Sequence, residues 1–393
     1  MSGKHDEDTT LLAKSIILHD RDGNAAERGH YLLVVEGEER GRRIPLGHSP
    51  VVIGRSAPAD IVIADPRASR NHCRVCVAMD EVIVIDLQSS NGSFIDGKRL
   101  SGGGPLAVGS RLQVGSHVFE HEWRIRKEVE ASQELDRDID QAWQYIQALL
   151  PAPMNEGPIR SDWVLEPCAR LGGDAFGYRY LDPGYFATYL IDVSGHGTGA
   201  AMHAVSVINV LRQNVLPAED YRDPARVLTA LNAMFRMETH GNLYFTVWYG
   251  VFDLETRVLD YACGGHHPSY LVDSARDRAI PLRTRNPVIG VAPEAAFRSD
   301  AVVVPPGAML YVFSDGVYEI TTKYGVDWNL EDFEKAMIKP PAAGVDESRR
   351  LLELVRASAK SPALDDDFSL IAFTFPEESA VGRAPDSTWP NRG

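Results

Sequence analysis

Residues 125–150, IRKEVEASQELDRDIDQAWQYIQALL, contain neither glycine nor proline, in a chain that holds 33 of the first and 24 of the second. Within them Val129, Leu135, Ile139, Ala142, Trp143, Ile146 and Leu149 or Leu150 recur at three- and four-residue steps. That spacing predicts an amphipathic helix, stopped by Pro151 and Pro153. Its apolar face needs a partner, and two are open: the segment that follows, or a second copy of the same helix. The sequence before it and the sequence after it follow different patterns, so the chain reads as multidomain.

From 30 to 124 the runs are short and alternate in polarity: YLLVVEG, PVVIGR, DIVIAD, HCRVCVAM, EVIVIDL, SRLQVG. Frequent Gly, Asp, Asn and Pro between them argue for an all-β sandwich. From 154 to 376 strands are expected at 185–193, 243–253, 257–263, 301–304, 309–314 and 368–375, with helices at 199–215, 224–238, 330–338 and 345–359. Consecutive strand runs alternating with helix pairs fit an α+β layered fold rather than βαβ winding. Residues 1–29 read as a flexible arm, 125–153 as the linker and the polar 377–393 as a disordered tail.

Composition excludes several classes. The net charge is −15 with no Lys/Arg-rich block, so neither nucleic acid nor an anionic membrane is an expected partner. No apolar stretch approaches the ~20 residues of a membrane helix, and the acidic N-terminus does not read as a signal peptide. Cytoplasm is the expected location. Cys73 and Cys76 form a lone CxxC, with no second Cys/His pair to complete a zinc site.

The second half places carboxylates at the ends of apolar strands. IDVSGHGTGAAM breaks an apolar run at Asp192, LYVFSDGVYE at Asp315, LGGDAF sets Asp174 after two glycines, and DDDFSLIAF opens a strand with Asp365, Asp366 and Asp367. Each alone reads as an ordinary turn aspartate. Together they read as like charges that converge and need a cation, and oxygen-only ligands suit Mg²⁺ or Mn²⁺ rather than zinc.

These motifs, with IQALLPAP, YFTVWYGVFD, CGGHHPSYLV and VIGV between them, come in the order found in the PPM-type (type 2C) Ser/Thr phosphatases. Residues 140–376 resemble the bacterial branch of that family, found in sporulation and stress regulators. The resemblance implies a site of two or more Mn²⁺ or Mg²⁺ ions, two of them bridged by Asp192, with the Val193 carbonyl, Asp315 and Asp366 as further ligands. Asp366 is preferred to Asp367 because the family's Asp-Asp/Asn-apolar-Ser/Thr pattern aligns with Asp366-Asp367-Phe368-Ser369. By the same resemblance Asp174 would act through water or at a further metal position. The resemblance also implies direct attack by an activated water. A cysteine phosphatase would need Cys-x5-Arg, and the sixth residue after each cysteine is Met79, Val82, Asp174 or Ser269. Ala175 departs from the aromatic residue common in this branch, which puts substrate-edge packing in doubt. Two readings of His196 stand, general acid for the leaving oxygen or loop packing. His266 and His267 read as structural.

In the first half, Gly54-Arg55, Ser69-Arg70-x-His72 and Asn91-Gly92-Ser93 are the landmarks of a forkhead-associated (FHA) domain, which residues 30–124 resemble. The resemblance implies phosphothreonine recognition. Arg55 and Arg70 would contact the phosphate, Ser69 would donate a hydroxyl, Asn91 would bond the ligand backbone, and His72 would pin the loop.

The expected protein is therefore a phosphoprotein phosphatase with a phosphothreonine reader, acting on a phosphorylated regulatory protein. Its FHA partner would be a phosphothreonine protein such as a Ser/Thr kinase, and the helix at 125–150 would allow a homodimer. A non-catalytic phosphothreonine-dependent scaffold that keeps the phosphatase fold is the alternative. A GGD-type nucleotide cyclase would rest on LGGDAF alone.

Overall fold

The computed structural model describes residues 28–340, 344–361 and 364–376. The arm expected at 1–29 and the tail at 377–393 lie outside them, except that Arg28 and Gly29 already belong to the first strand. The chain divides between Asp138 and Ile139 into two compact units.

Among the described residues the first unit has eleven strands: β1 (Arg28–Glu36), β2 (Arg43–Leu46), β3 (Val51–Gly54), β4 (Ile61–Val62), β5 (Cys73–Ala78), β6 (Glu81–Asp86), β7 (Ser93–Ile95), β8 (Lys98–Arg99), β9 (Gly103–Pro105), β10 (Arg111–Val114) and β11 (His117–Ile125). They form two sheets, ordered β2-β1-β11-β10-β7-β8 and β4-β3-β5-β6-β9. The period-two alternation gives each sheet one inward face. Leu32, Val34, Ile53, Val75, Val84, Leu112 and Phe119 fill the space between them. Cys73 belongs to that core and Cys76 is half-buried on the same strand, both as free thiols.

The long helix spans Arg126–Leu149. Its expected stripe divides in character. Val129 and Ile146 are buried, whereas Leu135 is 59% exposed. Ile146 packs with Leu171 and Ala201, and Ile139 and Trp143 flank them.

Among the described residues the second unit has ten strands: β12 (Arg160–Glu166), β13 (Asp174–Asp182), β14 (Tyr185–Val193), β15 (Phe245–Asp253), β16 (Val258–Gly264), β17 (Ser269–Val272), β18 (Ala279–Leu282), β19 (Asp300–Val303), β20 (Met309–Phe313) and β21 (Phe368–Thr374). Two five-stranded antiparallel sheets result, β13-β14-β15-β16-β19 and β12-β21-β20-β17-β18. Phe176, Leu190, Trp248, Val312, Ile371 and Phe373 meet between the sheets. The helices Thr198–Arg212 and Pro224–Met234 cover the outer face of the first sheet, where Ile191, Tyr249, Val207 and Leu228 share a core. The helices Leu330–Met337 and Glu347–Ser358 cover the second, through Phe313, Leu370, Phe333 and Leu351. This four-layer order explains the unbroken apolar runs. Leu190 faces one layer and Ile191 the next, so β14 is buried on both sides. No described helix is long and apolar enough to cross a membrane.

Candidate active site and phosphopeptide pocket

Antiparallel pairing sets the carboxylates on one edge. β14 ends where β13 begins, which puts Asp192 directly opposite Asp174. In the other sheet β20 ends beside the start of β21, and Asp315 follows the first while Asp366 and Asp367 precede the second. The Ser314 N–H donates to the Ser369 carbonyl at 2.9 Å, and its hydroxyl donates to the Asp367 carbonyl at 3.0 Å, so the two acidic turns are tied together.

The two final aspartates differ in task. Asp367 is buried and accepts the N–H groups of Cys168 at 2.9 Å and Gly173 at 2.7 Å. It holds the 168–174 loop from below, and Gly172 is required there because a Cβ would fall 2.2 Å from an Asp367 carboxylate oxygen. Asp366 is exposed, and one of its oxygens accepts the Asp367 N–H at 2.8 Å. Gly173 lets the loop lie against the Val193 carbonyl, which would be 2.6 Å from a Cβ at that position.

The electrostatics are one-sided. Burial, then the charges of Asp315, Asp366 and Asp367, push the Asp192 carboxyl up to about 7. Burial, then Asp366 and Glu319, push Asp315 up to about 6. Burial, then Asp192 and Asp367, hold Asp174 well above the carboxylate range, and its Oδ2 has no hydrogen-bond partner. Every charge resolved on these three groups is another carboxylate. An orphaned buried carboxylate oxygen among oxygen donors of one sign fits hard divalent cations. Thr246, opposite Asp192 on β15, is the one hydroxyl in reach of its Oδ2 among the described contacts, at 3.5 Å.

Sequence reasoning did not find Glu319 or Cys168, and it read Asp367 as the less favoured ligand rather than as a loop anchor. Glu319 acts on Asp315, Asp367 anchors the loop, and Cys168 brings its sulfur within 4.8 Å of Asp366 and Asp367. Burial and then Asp367 push the Cys168 thiol up to about 11, so it stays protonated at neutral pH. Asp367 carried a sequence signal, an acidic residue at the start of a strand; Glu319 and Cys168 carried none. Ala175, where the aromatic residue was expected, is buried in the core under the Thr198–Arg212 helix. His196 is exposed in the loop before that helix. His266 and His267 are packed beside Phe313 and Tyr318, and burial keeps both imidazoles neutral.

In the first unit Arg55, Ser69, Arg70 and Asn91 line one cavity of about 270 Å³ at an end of the sandwich, joined by Arg67 and Ser90. His72 explains the convergence. Its Nδ1 accepts the Ser69 N–H and its Nε2 donates to the Gly92 carbonyl, each at 3.1 Å, so one buried ring ties both loops. Gly54 lets the strands close, since a Cβ there would sit 1.9 Å from the Arg70 carbonyl oxygen. The Ser69 hydroxyl accepts the Ser90 N–H at 3.0 Å, and the Asn91 amide donates to the Arg67 carbonyl at 2.6 Å. Below them Asp86 accepts the hydroxyls of Ser89 and Ser93, both at 2.7 Å. Neither Arg67 nor Asp86 was singled out from the sequence, because each lies outside the motif it serves.

The Stage II sporulation protein E (SpoIIE) family matches residues 182–376, and the FHA domain family matches residues 51–115. The chain is an FHA domain joined to a SpoIIE/PP2C-type phosphatase domain. The FHA domain is similar to the FHA domain-containing protein FhaB of Mycobacterium tuberculosis, 34% identical over 113 residues, 28% of this chain and 73% of FhaB. The SpoIIE/PP2C-type domain is similar to the phosphoserine phosphatase RsbP of Bacillus subtilis, 23% identical over 189 residues, 47% of this chain and 46% of RsbP. The chain thus spans about half the length of that relative. It shares its fold with the SiaA-PP2C domain of Pseudomonas aeruginosa, with 19% identity and a TM-score of 0.53 over 62% of this chain and 98% of that one.

Proposed function

We propose that the chain is a metal-dependent protein phosphatase that hydrolyses phosphoserine or phosphothreonine on a regulatory protein, while its FHA domain recruits a phosphothreonine-bearing partner such as a Ser/Thr kinase. The observation that carries the reading is the convergence of Asp174 and Asp192 from one sheet with Asp315 and Asp366 from the other, with carboxylates as the only charges resolved on the first three. Asp192, Asp315 and Asp366 are the catalytic ligands, with the Val193 carbonyl and Asp174 completing the set. Mn²⁺ or Mg²⁺, two ions or more, would supply a water of lowered pKa and neutralise the phosphoryl oxygens. The chain's own work is to hold the carboxylates in place: Asp367 fixes the loop before Asp174, and the Ser314–Ser369 bonds fix the turn of Asp315. The name of RsbP, a phosphoserine phosphatase, favours phosphoserine as the substrate.

The functional extents follow as 30–124 for the reader, 125–153 for the linker and 154–376 for the catalytic domain, acting in the cytoplasm. The linker helix pairs with its twin in a homodimer through Leu135 and Ala142, exposed and seven residues apart. The deciding experiment is dephosphorylation of a phosphopeptide array with and without Mn²⁺. Activity that survives EDTA overturns the metal reading. A folded, Mn²⁺-loaded protein that hydrolyses nothing is instead the scaffold.

A further inference from the structure

Where the long helix ends on the second unit, a cavity of about 490 Å³ opens beside Tyr145, Leu149 and Pro151. Its other walls are the Gly177–Tyr180 stretch of β13 and the last turn of the Thr198–Arg212 helix. That helix has 15 residues, so the cavity stands about 20 Å from the carboxylate edge at the helix's other end. The cavity is separate from the proposed active site, and its volume is that of a small-molecule site.

Three features define what it would hold. First, two guanidinium groups line it, Arg179 and Arg212, and none of the lining residues is acidic. Arg212 donates to the Leu149 carbonyl, and Arg179 donates to the Arg212 carbonyl at 3.3 Å while lying 5.0 Å over the Tyr221 ring. Each guanidinium carries five N–H donors, so these bonds leave donors for a ligand.

Second, Tyr189 is 3% exposed, lines the cavity, and its hydroxyl has no hydrogen-bond partner. The hydroxyl occupies the space above Gly177, where a Cβ would fall 2.3 Å from it. Burial raises the phenol's pKa, so it is a donor at neutral pH. A buried, unpaired donor is costly to keep, and here it is kept beside two cations. Third, Tyr145, Leu149 and Pro151 supply an apolar wall on the helix side.

We propose that this cavity binds a small molecule in which a planar ring carries one carboxylate or phosphoryl group, the anion bonded by Arg179, Arg212 and the Tyr189 hydroxyl, and the ring held against Tyr145, Leu149 and Pro151. The bound molecule joins the end of the linker helix to β13.

The test is isothermal titration of the full chain in EDTA, with the FHA pocket disabled by Arg55→Ala. The probes are 4-hydroxybenzoate, phenylphosphonate and neutral benzamide. One or both anions should bind saturably with one site per chain and raise the melting temperature, and the comparison between them identifies carboxylate or phosphoryl. Tyr189→Phe should weaken binding roughly tenfold, the loss of one hydrogen bond to a charged acceptor, while raising the melting temperature of the unliganded protein. Arg212→Gln, at an exposed position, should abolish it. The proposal is overturned if neither anion binds at millimolar concentration, if benzamide binds as tightly, or if both variants bind unchanged. Metal-free titration keeps this outcome independent of whether the carboxylate edge is catalytic.

Discussion

Asp174 and Asp192 stand directly opposite each other in the β13–β14 ladder, two carboxylates on adjacent strands of a largely buried sheet. Like charges placed this way destabilise a sheet. The surrounding charges deepen the cost, because Asp315, Asp366 and Asp367 all act on Asp192 in the same sense. Nothing in the packing requires acid here: the strand positions just inside, Ala175 and Ile191, are ordinary core. An arrangement that burdens the metal-free fold acquires a purpose when a cation balances it.

The first prediction follows from that burden. Asp192→Asn and Asp315→Asn should bring hydrolysis of p-nitrophenyl phosphate in Mn²⁺ to background. In EDTA the same variants should melt at a higher temperature than wild type, because one repelling charge is gone. An inactive variant that melts lower in EDTA would mean that the cluster is structural.

Asp366 and Asp367 offer a sharper contrast. Asp367→Ala removes the acceptor for the Cys168 and Gly173 N–H groups, and should cost about 1.5–3 kcal/mol, the usual worth of hydrogen bonds to a charged group. Asp366→Asn should leave stability near wild type and abolish the Mn²⁺ response. Denaturant titration beside metal-dependent turnover separates the two. A reversed pattern would exchange their roles.

The strands most legible in the sequence were those buried on both faces, such as Tyr185–Val193, whose apolar run ends at the acidic turn. β13 was missed because DAFGYRYLD carries Gly177 and alternates polar with aromatic residues, and β18 because Pro281 interrupts it. The helices over the sheets started where expected to within a residue or two and ended earlier, as at Met234, where Phe235 turns into the core. Asp192, Asp315 and Asp366 carried a local signal, a carboxylate at a strand end. Asp367 carried one as well, but its bonds run to a loop almost two hundred residues away, which no local pattern reveals. The same holds for Asp86, which serves the FHA loop from the end of β6.

For the reader domain, Arg55→Ala should abolish phosphothreonine-peptide binding with the melting temperature unchanged, since the Arg55 side chain is exposed. Ser69→Ala should reduce both, because its hydroxyl also receives the Ser90 N–H. Neither should alter p-nitrophenyl phosphate hydrolysis. Undiminished peptide affinity in the double variant, measured by calorimetry, would refute the pocket.

The linker helix yields a paired test. Leu135→Asp, at an exposed position, should convert a dimer to monomer in light scattering without loss of stability. Ile146→Asp should cost ~3 kcal/mol or more, since it buries an unpaired charge against Leu171 and Ala201. A wild type that is already monomeric at micromolar concentration makes the helix a spacer.

The last prediction concerns pH and Asp86. Burial pushes this carboxyl up, but hydrogen bonds from Ser89 and Ser93 more than offset that and leave it below its ordinary value. A depressed folded-state pKa means that the unfolded chain takes up its proton first as acid is added. The stabilisation is therefore complete above the unfolded value, about 3.9, and is lost as pH falls through the folded one. Asp86→Asn keeps one acceptor oxygen and cannot ionise. At pH 7 it should be less stable than wild type, with the gap narrowing steadily once the pH drops below about 4. Because Asp86 holds the Ser89–Ser93 turn that presents Asn91, the variant should also bind phosphothreonine peptide more weakly at pH 7. Thermal unfolding of both proteins across this range supplies the check. A stability gap that stays constant from pH 7 to pH 3 would mean that the Asp86 charge contributes nothing to the loop.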